Sequence, residues 1–223
     1  MVPDGRPVIA PPTPVTNFID VPGAIGQLDM SEALTGYPLY GSREGSLSFI
    51  VLNDYEGNQN WADRYANLCW HIHGKRLKMI LEDDPGYFYE GRFTVDSWDT
   101  PNSNDFSKVT IGYTLDPYKY NVNKYVSSFS ISNDTRVITY SNGVVLGTMP
   151  TVPTIKVSNV SNGITVRCIN EELNRDVSHQ MTMNATYQFA DIILSDLHHS
   201  NPNCRLQFTG TGTVEITIQN GDL

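Results

Sequence analysis

Few residues of this 223-residue chain have the types and spacing that chemistry needs. His71 and His73 stand two apart, and His198-His199 forms a second pair. A zinc site needs three or four ligands, and no convincing third ligand accompanies His71-x-His73. That pair falls at the end of an expected helix and reads as its termination. His198-His199 sits in the polar stretch LHHSNPN and reads as a loop tip. Glu82-Asp83-Asp84 has the groups for cation binding or acid–base work, but it runs into Pro85-Gly86, so solvated turn residues are the favoured reading. Gly210-Thr211-Gly212 is a lone GxG between strands, which a bulge or tight turn explains. Asn133, Asn159 and Asn184 open glycosylation sequons that mean little without a secretory signal. There is no P-loop, GxSxG, HExxH or EF-hand loop. The expectation is a protein that is not an enzyme, with no metal and no cofactor.

Composition narrows the class further. The net charge is −9, with 17% charged and 39% hydrophobic residues. That is globular composition, and its acidity argues against specific nucleic-acid binding. The charge is uneven: residues 1–121 hold 16 Asp or Glu against 9 Lys or Arg, and residues 122–223 hold 8 against 6. Cys69, Cys168 and Cys204 form no CxxC, which suits buried, reduced thiols. The Pro-rich start lacks an apolar signal segment, and no run approaches 18 apolar residues, so no membrane span and folding in a cytosol are expected.

These residues need elements to carry them. MVPDGRPVIAPPTPV holds five prolines before Val15 and should run extended. Thr16–Val21 reads as a strand closed by Pro22-Gly23, and Leu47, Phe49 and Val51 alternate along another. Trp61, Tyr65, Leu68, Cys69 and Ile72 recur at helical period, predicting a helix over 60–73 with these side chains buried, capped by Asn60 and closed by Gly74. HGKRLKMILEDDPGYFYEGRFTVDSW, residues 73–98, follows. Leu77, Met79 and Leu81 alternate on one side of Asp84-Pro85-Gly86, and Tyr87, Tyr89, Phe93 and Val95 on the other. This predicts a long twisted hairpin, with Pro85 second in its turn and Gly86 third at positive φ. Its aromatics Tyr87, Phe88 and Tyr89, with Trp98, have the faces to stack on sugars or bases; hairpin packing or a protein interface is the favoured reading. Val109–Leu115 is one more strand. After Asn121 charges thin out and short β-branched runs dominate. Ser141-Asn142-Gly143 and Ser161-Asn162-Gly163 both read as hairpin turns, the second between Thr154–Ser158 and Ile164–Ile169. Met181–Phe189, Ile192–Leu194, Arg205–Phe208 and Val214–Ile218 complete the strands of a β-sandwich.

Several of these stretches together resemble one family. They are VPDGRPVIAPP, NFIDVPGAIGQLDMSEALTG, YGSREGSLSFIV, residues 73–98 and VTIGYTLDPYKY, in matching order over residues 1 to about 120. FTGTGTVEITIQNGDL at the C-terminus is similar more weakly. The resemblance is to the distal tail proteins (Dit) of long-tailed phages that infect Gram-positive bacteria. That family usually carries a strand ahead of the PxxRP segment. Met1 falls within that segment, so a ring domain without its first strand is expected.

The resemblance implies a mainly β chain. Residues 1–121 would be a β-sandwich-like ring domain with one helix and a long hairpin, and 122–223 a galectin-like or carbohydrate-module-like sandwich. It implies a homo-hexamer in the virion tail tip, assembled in the bacterial cytoplasm. The ring would join the tail tube protein to a tail-associated lysin or other tip protein and to receptor-binding proteins, with genome DNA passing through its lumen. Acids of residues 1–121 would line that channel or simply keep the outer surface soluble. The ribbon would clasp the next protomer through Lys75, Leu77, Lys78, Asp84, Pro85, Gly86, Tyr87, Phe88, Tyr89 and Arg92. The alternative is a saccharide-binding module contacting the host wall, although residues 122–223 contain no Trp and Tyr125, Tyr140 and Tyr187 define no platform.

Overall fold

The structure, a computed structural model, describes residues 1–23, 25–33, 35–52, 61–99, 106–139, 149–171, 174–194 and 204–223. The chain divides into two compact units: Met1–Ser31 with Pro38–Lys119, and Glu32–Tyr37 with Tyr120–Leu223. The short early segment Glu32–Tyr37 thus groups with the later unit.

In the first unit the strands are β1 (Val2–Pro3), β2 (Pro14–Val15), β3 (Phe18–Asp20), β4 (Gln27–Asp29), β5 (Leu39–Tyr40) and β6 (Arg43–Leu52). Helix α1 (Trp61–Ile72) follows, then β7 (Arg76–Met79), β8 (Tyr87–Asp99) and β9 (Phe106–Leu115). The main sheet runs β1-β6-β9-β8 with β7 on β8, all antiparallel, while β2-β5 and β3-β4 are separate two-stranded ribbons. Period-two alternation sends Leu47, Val51, Phe93, Val95, Val109, Ile111, Tyr113 and Leu115 to one core. Leu68, Cys69 and Ile72 of α1 pack half-buried against it.

The helical stripe is shallower than its periodicity predicts. Tyr65 is 44% exposed, its ring edge-on to Trp98 at 5.5 Å, and its hydroxyl hydrogen bonds with Cys69 one turn on. It rims the core instead of plugging it. The side chain of Trp61, Asn60 and the 141–143 turn lie outside the described residues.

β10 (Lys119–Asn121) leads into the second unit, which holds β11 (Tyr125–Thr139), β12 (Thr154–Asn170), β13 (Arg175–Met181), β14 (Ala185–Tyr187), β15 (Cys204–Ile218) and β16 (Gly221–Asp222). Its sheet runs β11-β15-β12-β13, with β14 on the other half of β12. Three strands are long, where short ones were expected. Ser161-Asn162-Gly163 does not reverse the chain: β12 pairs with β15 from Thr154↔Thr217 to Asn170↔Cys204 and merely shifts register between Ser158 and Ile164. Asn159, Asn162 and Gly163 have positive φ, so the SNG signal produces a bulge. Arg205–Phe208 and Val214–Ile218 are likewise one strand, passing through Gly210 and Gly212 at φ 138 and 154°. In β11 Asn133 (φ 49°) is the extra residue between Ser132↔Thr211 and Asp134↔Gly210. All three strands therefore bend at the same level. The expected Met181–Phe189 strand is split, because β13 and β14 pair with opposite halves of β12. One core, including Ile155, Val166, Met181, Phe208, Val214 and Ile216, draws on both halves.

Candidate assembly surface

The ribbon begins where α1 ends. Gly74 takes the left-handed φ of 74° that a helix exit favours, and its N–H donates to the Phe93 carbonyl at 2.7 Å. Phe93 N–H donates back to Lys75 O (3.1 Å), which lays β7 beside β8. The ladder then spans four pairs, Arg76↔Arg92 to Met79↔Tyr89, shorter than the sequence pattern predicts. Two successive turns close it: Asp84 N–H donates to Leu81 O (3.1 Å) and Tyr87 N–H to Asp84 O (3.2 Å). Pro85 and Gly86 hold the second and third positions of the latter turn, but Gly86 is not at positive φ. The turn is thus not type II, and glycine is tolerated there rather than demanded.

Ion pairs fasten the tip to its own unit. Arg6 Nε donates to Asp83 at 2.7 Å and Lys119 Nζ to Asp84 at 3.0 Å. The Lys119 ammonium also lies 4.4 Å from the Tyr87 ring centre, and its hydrogen bond to Asp84 holds its pKa above the usual lysine value despite partial burial. Arg76 bridges Glu90 (3.2 Å) and Asp116. The acidic triplet is thereby explained in part, since two of its three carboxylates are cation partners at a turn.

Of the ten expected clasp residues, Lys75, Lys78, Pro85, Gly86 and Arg92 are exposed, and Leu77, Asp84, Tyr87 and Tyr89 are half-buried. Phe88 is buried, 6% exposed, with Lys78 Nζ 4.1 Å from its ring centre. The cations, more than the aromatics, are what the ribbon presents. Tyr89 faces Arg43, a buried guanidinium that donates to Pro117 O (2.8 Å) and Ala10 O (3.1 Å). Burial lowers the Arg43 pKa from its ordinary value. Arg43 thus pins the proline-rich segment to the sheet, a role that a lone Arg at a strand start gave no means to foresee.

The remaining chemical candidates disperse. His71 Nδ1 lies 2.8 Å from the Asn67 carbonyl, and His73 Nδ1 accepts the Val95 N–H at 3.1 Å, so each ring is engaged locally. His198 and His199 lie outside the described residues. Among the described residues no three His, Cys, Asp or Glu side chains cluster as metal ligands. Asn133 and Asn159 serve as left-handed bulge residues, and Asn184 Oδ1 accepts the Val160 N–H at 3.0 Å. Cys168 and Cys204 are buried free thiols, and their mutual hydrogen bond pushes the Cys168 pKa far up. In the second unit Phe189 stacks on His179 (4.2 Å) and Tyr187 (5.8 Å), and His179 Nε2 lies 2.8 Å from Asp191.

Two features went unread in the sequence. One is the pairing of the strand expected at Thr16–Val21 with Gln27–Asp29, a hairpin whose described residues are all exposed, Phe18 by 51%. The other is a trough of about 800 Å³ on the apolar face of the main sheet, lined by Leu47, Phe49, Met79 and Ile80 among others. Apolar residues between prolines and glycines in 18–28 were the available signal for the first. The second arises only when strands distant in sequence are juxtaposed.

The fold is mainly β, in two units, and Dit-like. The solved structure of the phage SPP1 Dit protein (gp 19.1), described as a paradigm of the hub adsorption apparatus in Gram-positive infecting phages, shares it with a TM-score of 0.58 and 16% identity, over 99% of this chain and 91% of that one. No known family pattern matches the sequence, and no curated protein matches it.

Proposed function

We propose that this chain is a structural component of a phage tail tip, a distal tail protein that closes into a six-membered ring. The ring joins the tail tube to tip and receptor-binding proteins and lets DNA through its lumen. The supporting observation is the fold likeness to a hub protein across 99% of the chain, which takes in both units. The exposed cations of the ribbon, Lys75, Lys78 and Arg92, supply one side of a subunit contact. A protein of this kind works by geometry, through repeated head-to-tail contacts that close when the rotation fits.

The test is the mass of the purified protein by light scattering over a concentration series, with negative-stain images of the same samples. The expected result is a hexamer mass and annular particles with a central opening. A monomer mass at every concentration, with no annular particles, overturns the reading.

A further inference from the structure

Three cysteines stand far apart in the sequence, and the fold brings two of them together. Cys168 lies on β12 and Cys204 opens β15. In their ladder Cys168 is opposite Leu206 and Asn170 is opposite Cys204. The two thiols are therefore diagonal neighbours, and alternation puts both on the core side. They are 1% and 9% exposed, neither is in a disulfide, and a hydrogen bond joins their side chains. Cys69 takes no part, since it lies in the first unit and bonds with Tyr65.

Diagonal partners in an antiparallel pair hold their Cα atoms about 7–8 Å apart, and a disulfide needs about 4.4–6.8 Å. An approach of about 1 Å closes that gap, and the start of β15 is placed to give it. Cys204 pairs with β12 alone among the described residues, because the ladder with β11 ends at Thr139↔Arg205. Strand ends of this kind open at low free-energy cost. The surroundings of Cys168 pull in both directions. The mutual hydrogen bond and burial hold its thiol well above the ordinary value, and the nearby Arg175 charge acts the other way. Thiolate is the attacking species, so the pair is inert while the sheet is closed and reacts when the end of β15 lifts.

We propose that Cys168 and Cys204 form an oxidation site, which reacts with a low-molecular-weight disulfide to become a bridge between β12 and β15. Cys204, the more exposed, loses its proton and attacks one sulfur of the small disulfide. The S–S bond of the reagent breaks, one small thiolate leaves and takes up a proton, and a mixed disulfide remains. Cys168 then loses its proton and attacks the Cys204 sulfur, and the second small thiol departs with the electron pair of the broken bond. Two protein S–H bonds give one S–S bond, and the two electrons and two protons end on the two small thiols. The bridge encloses residues 169–203, with β13 and β14, and fastens the late strand β15 to the centre of its sheet. Such a cross-link acts chiefly by restricting the unfolded chain. Cytosolic thiols keep a pair of this kind reduced, and a tail component leaves the cytosol when the virion is released. The chemistry itself stands apart from the hub reading, because it needs only the second unit.

The experiment incubates the full chain with oxidised glutathione at rising ratios to the reduced form, quenches with N-ethylmaleimide, and measures intact mass and linked peptides. The expected product has lost two hydrogens, carries a 168–204 link and leaves Cys69 outside it. Hydrogen exchange at residues 204–208 should slow by about tenfold or more in the bridged protein and recover on adding dithiothreitol. Cys204→Ser should abolish both the link and the oxidant's effect on exchange, and Cys69→Ser should preserve both. Mixed disulfides without a bridge at every ratio, a link that includes Cys69, or a 168–204 link that forms only in urea overturns the proposal.

Discussion

Gly91, like Arg92 beside it, pairs with both neighbours of β8, and replacing it by alanine tests how the ribbon is tied to the sheet. It pairs with Leu77 of β7 on one side and with Leu115 of β9 on the other. A methyl group there would lie 2.2 Å from Thr114 O and 2.5 Å from Leu115 Cα. Both are backbone atoms of a neighbouring strand, so no rotamer change makes room and the ladder must open. Overpacking of this kind costs about 1–3 kcal/mol. Opening one side forfeits ladder hydrogen bonds worth about 1 kcal/mol each, and the stiffer unfolded chain returns about 0.4–1 kcal/mol. The expected loss is thus about 2–4 kcal/mol, a large share of the ~5–15 kcal/mol typical of a domain. All three tryptophans lie in the first unit, so urea unfolding followed by Trp fluorescence reads that unit alone. Gly86→Ala is the control: nothing lies within 4 Å of its added methyl and its φ is not positive, so it should change stability by less than about 0.5 kcal/mol. A Gly91→Ala loss below that same bound would refute the argument.

Two further perturbations address the second unit. Gly210→Ala combines a φ of 138° with a methyl 2.4 Å from Gly163 O, so it should cost about 2–5 kcal/mol; hydrogen exchange at residues 164–168 should quicken while the Trp melt stays fixed. Asp176 is held below its ordinary carboxylate value by its hydrogen bonds with Arg167. Its contribution is therefore fully present above the unfolded value near pH 4 and fades as pH falls through the depressed folded value. Thermal melts of Asp176→Asn should lack that acid-side loss, and an unchanged pH profile would show that the pair is inert.

The elements were legible where one local rule decides them. The period of Leu68, Cys69 and Ile72 placed α1, Gly74 marked its end, and alternation found β6, β8 and β9. Asn162-Gly163 shows where locality fails. Both residues adopt the left-handed φ that a hairpin turn requires, and only the uninterrupted run of β15 alongside turns the same conformation into a bulge. Likewise no rule of spacing distinguishes Tyr65 on the rim from Leu68 against the sheet. On the candidate assembly surface, the sequence marked Lys75 and Lys78 as members of a ribbon. It could not show that Phe88 faces inward, because alternation assigns opposite faces without naming the outer one.

The strand order β11-β15-β12-β13 has a consequence for biosynthesis. β15, the last long strand to leave the ribosome, lies between two strands made well before it. Until it emerges, β11 and β12 lack their shared partner, and Ile131, Ile155 and Val166 have no central strand to pack beside. Pairings as distant as Tyr125↔Ile218 close late and slowly. The second unit therefore folds only after β15 has been translated, and a nascent chain halted before residue 204 presents two long unpaired edges to its neighbours.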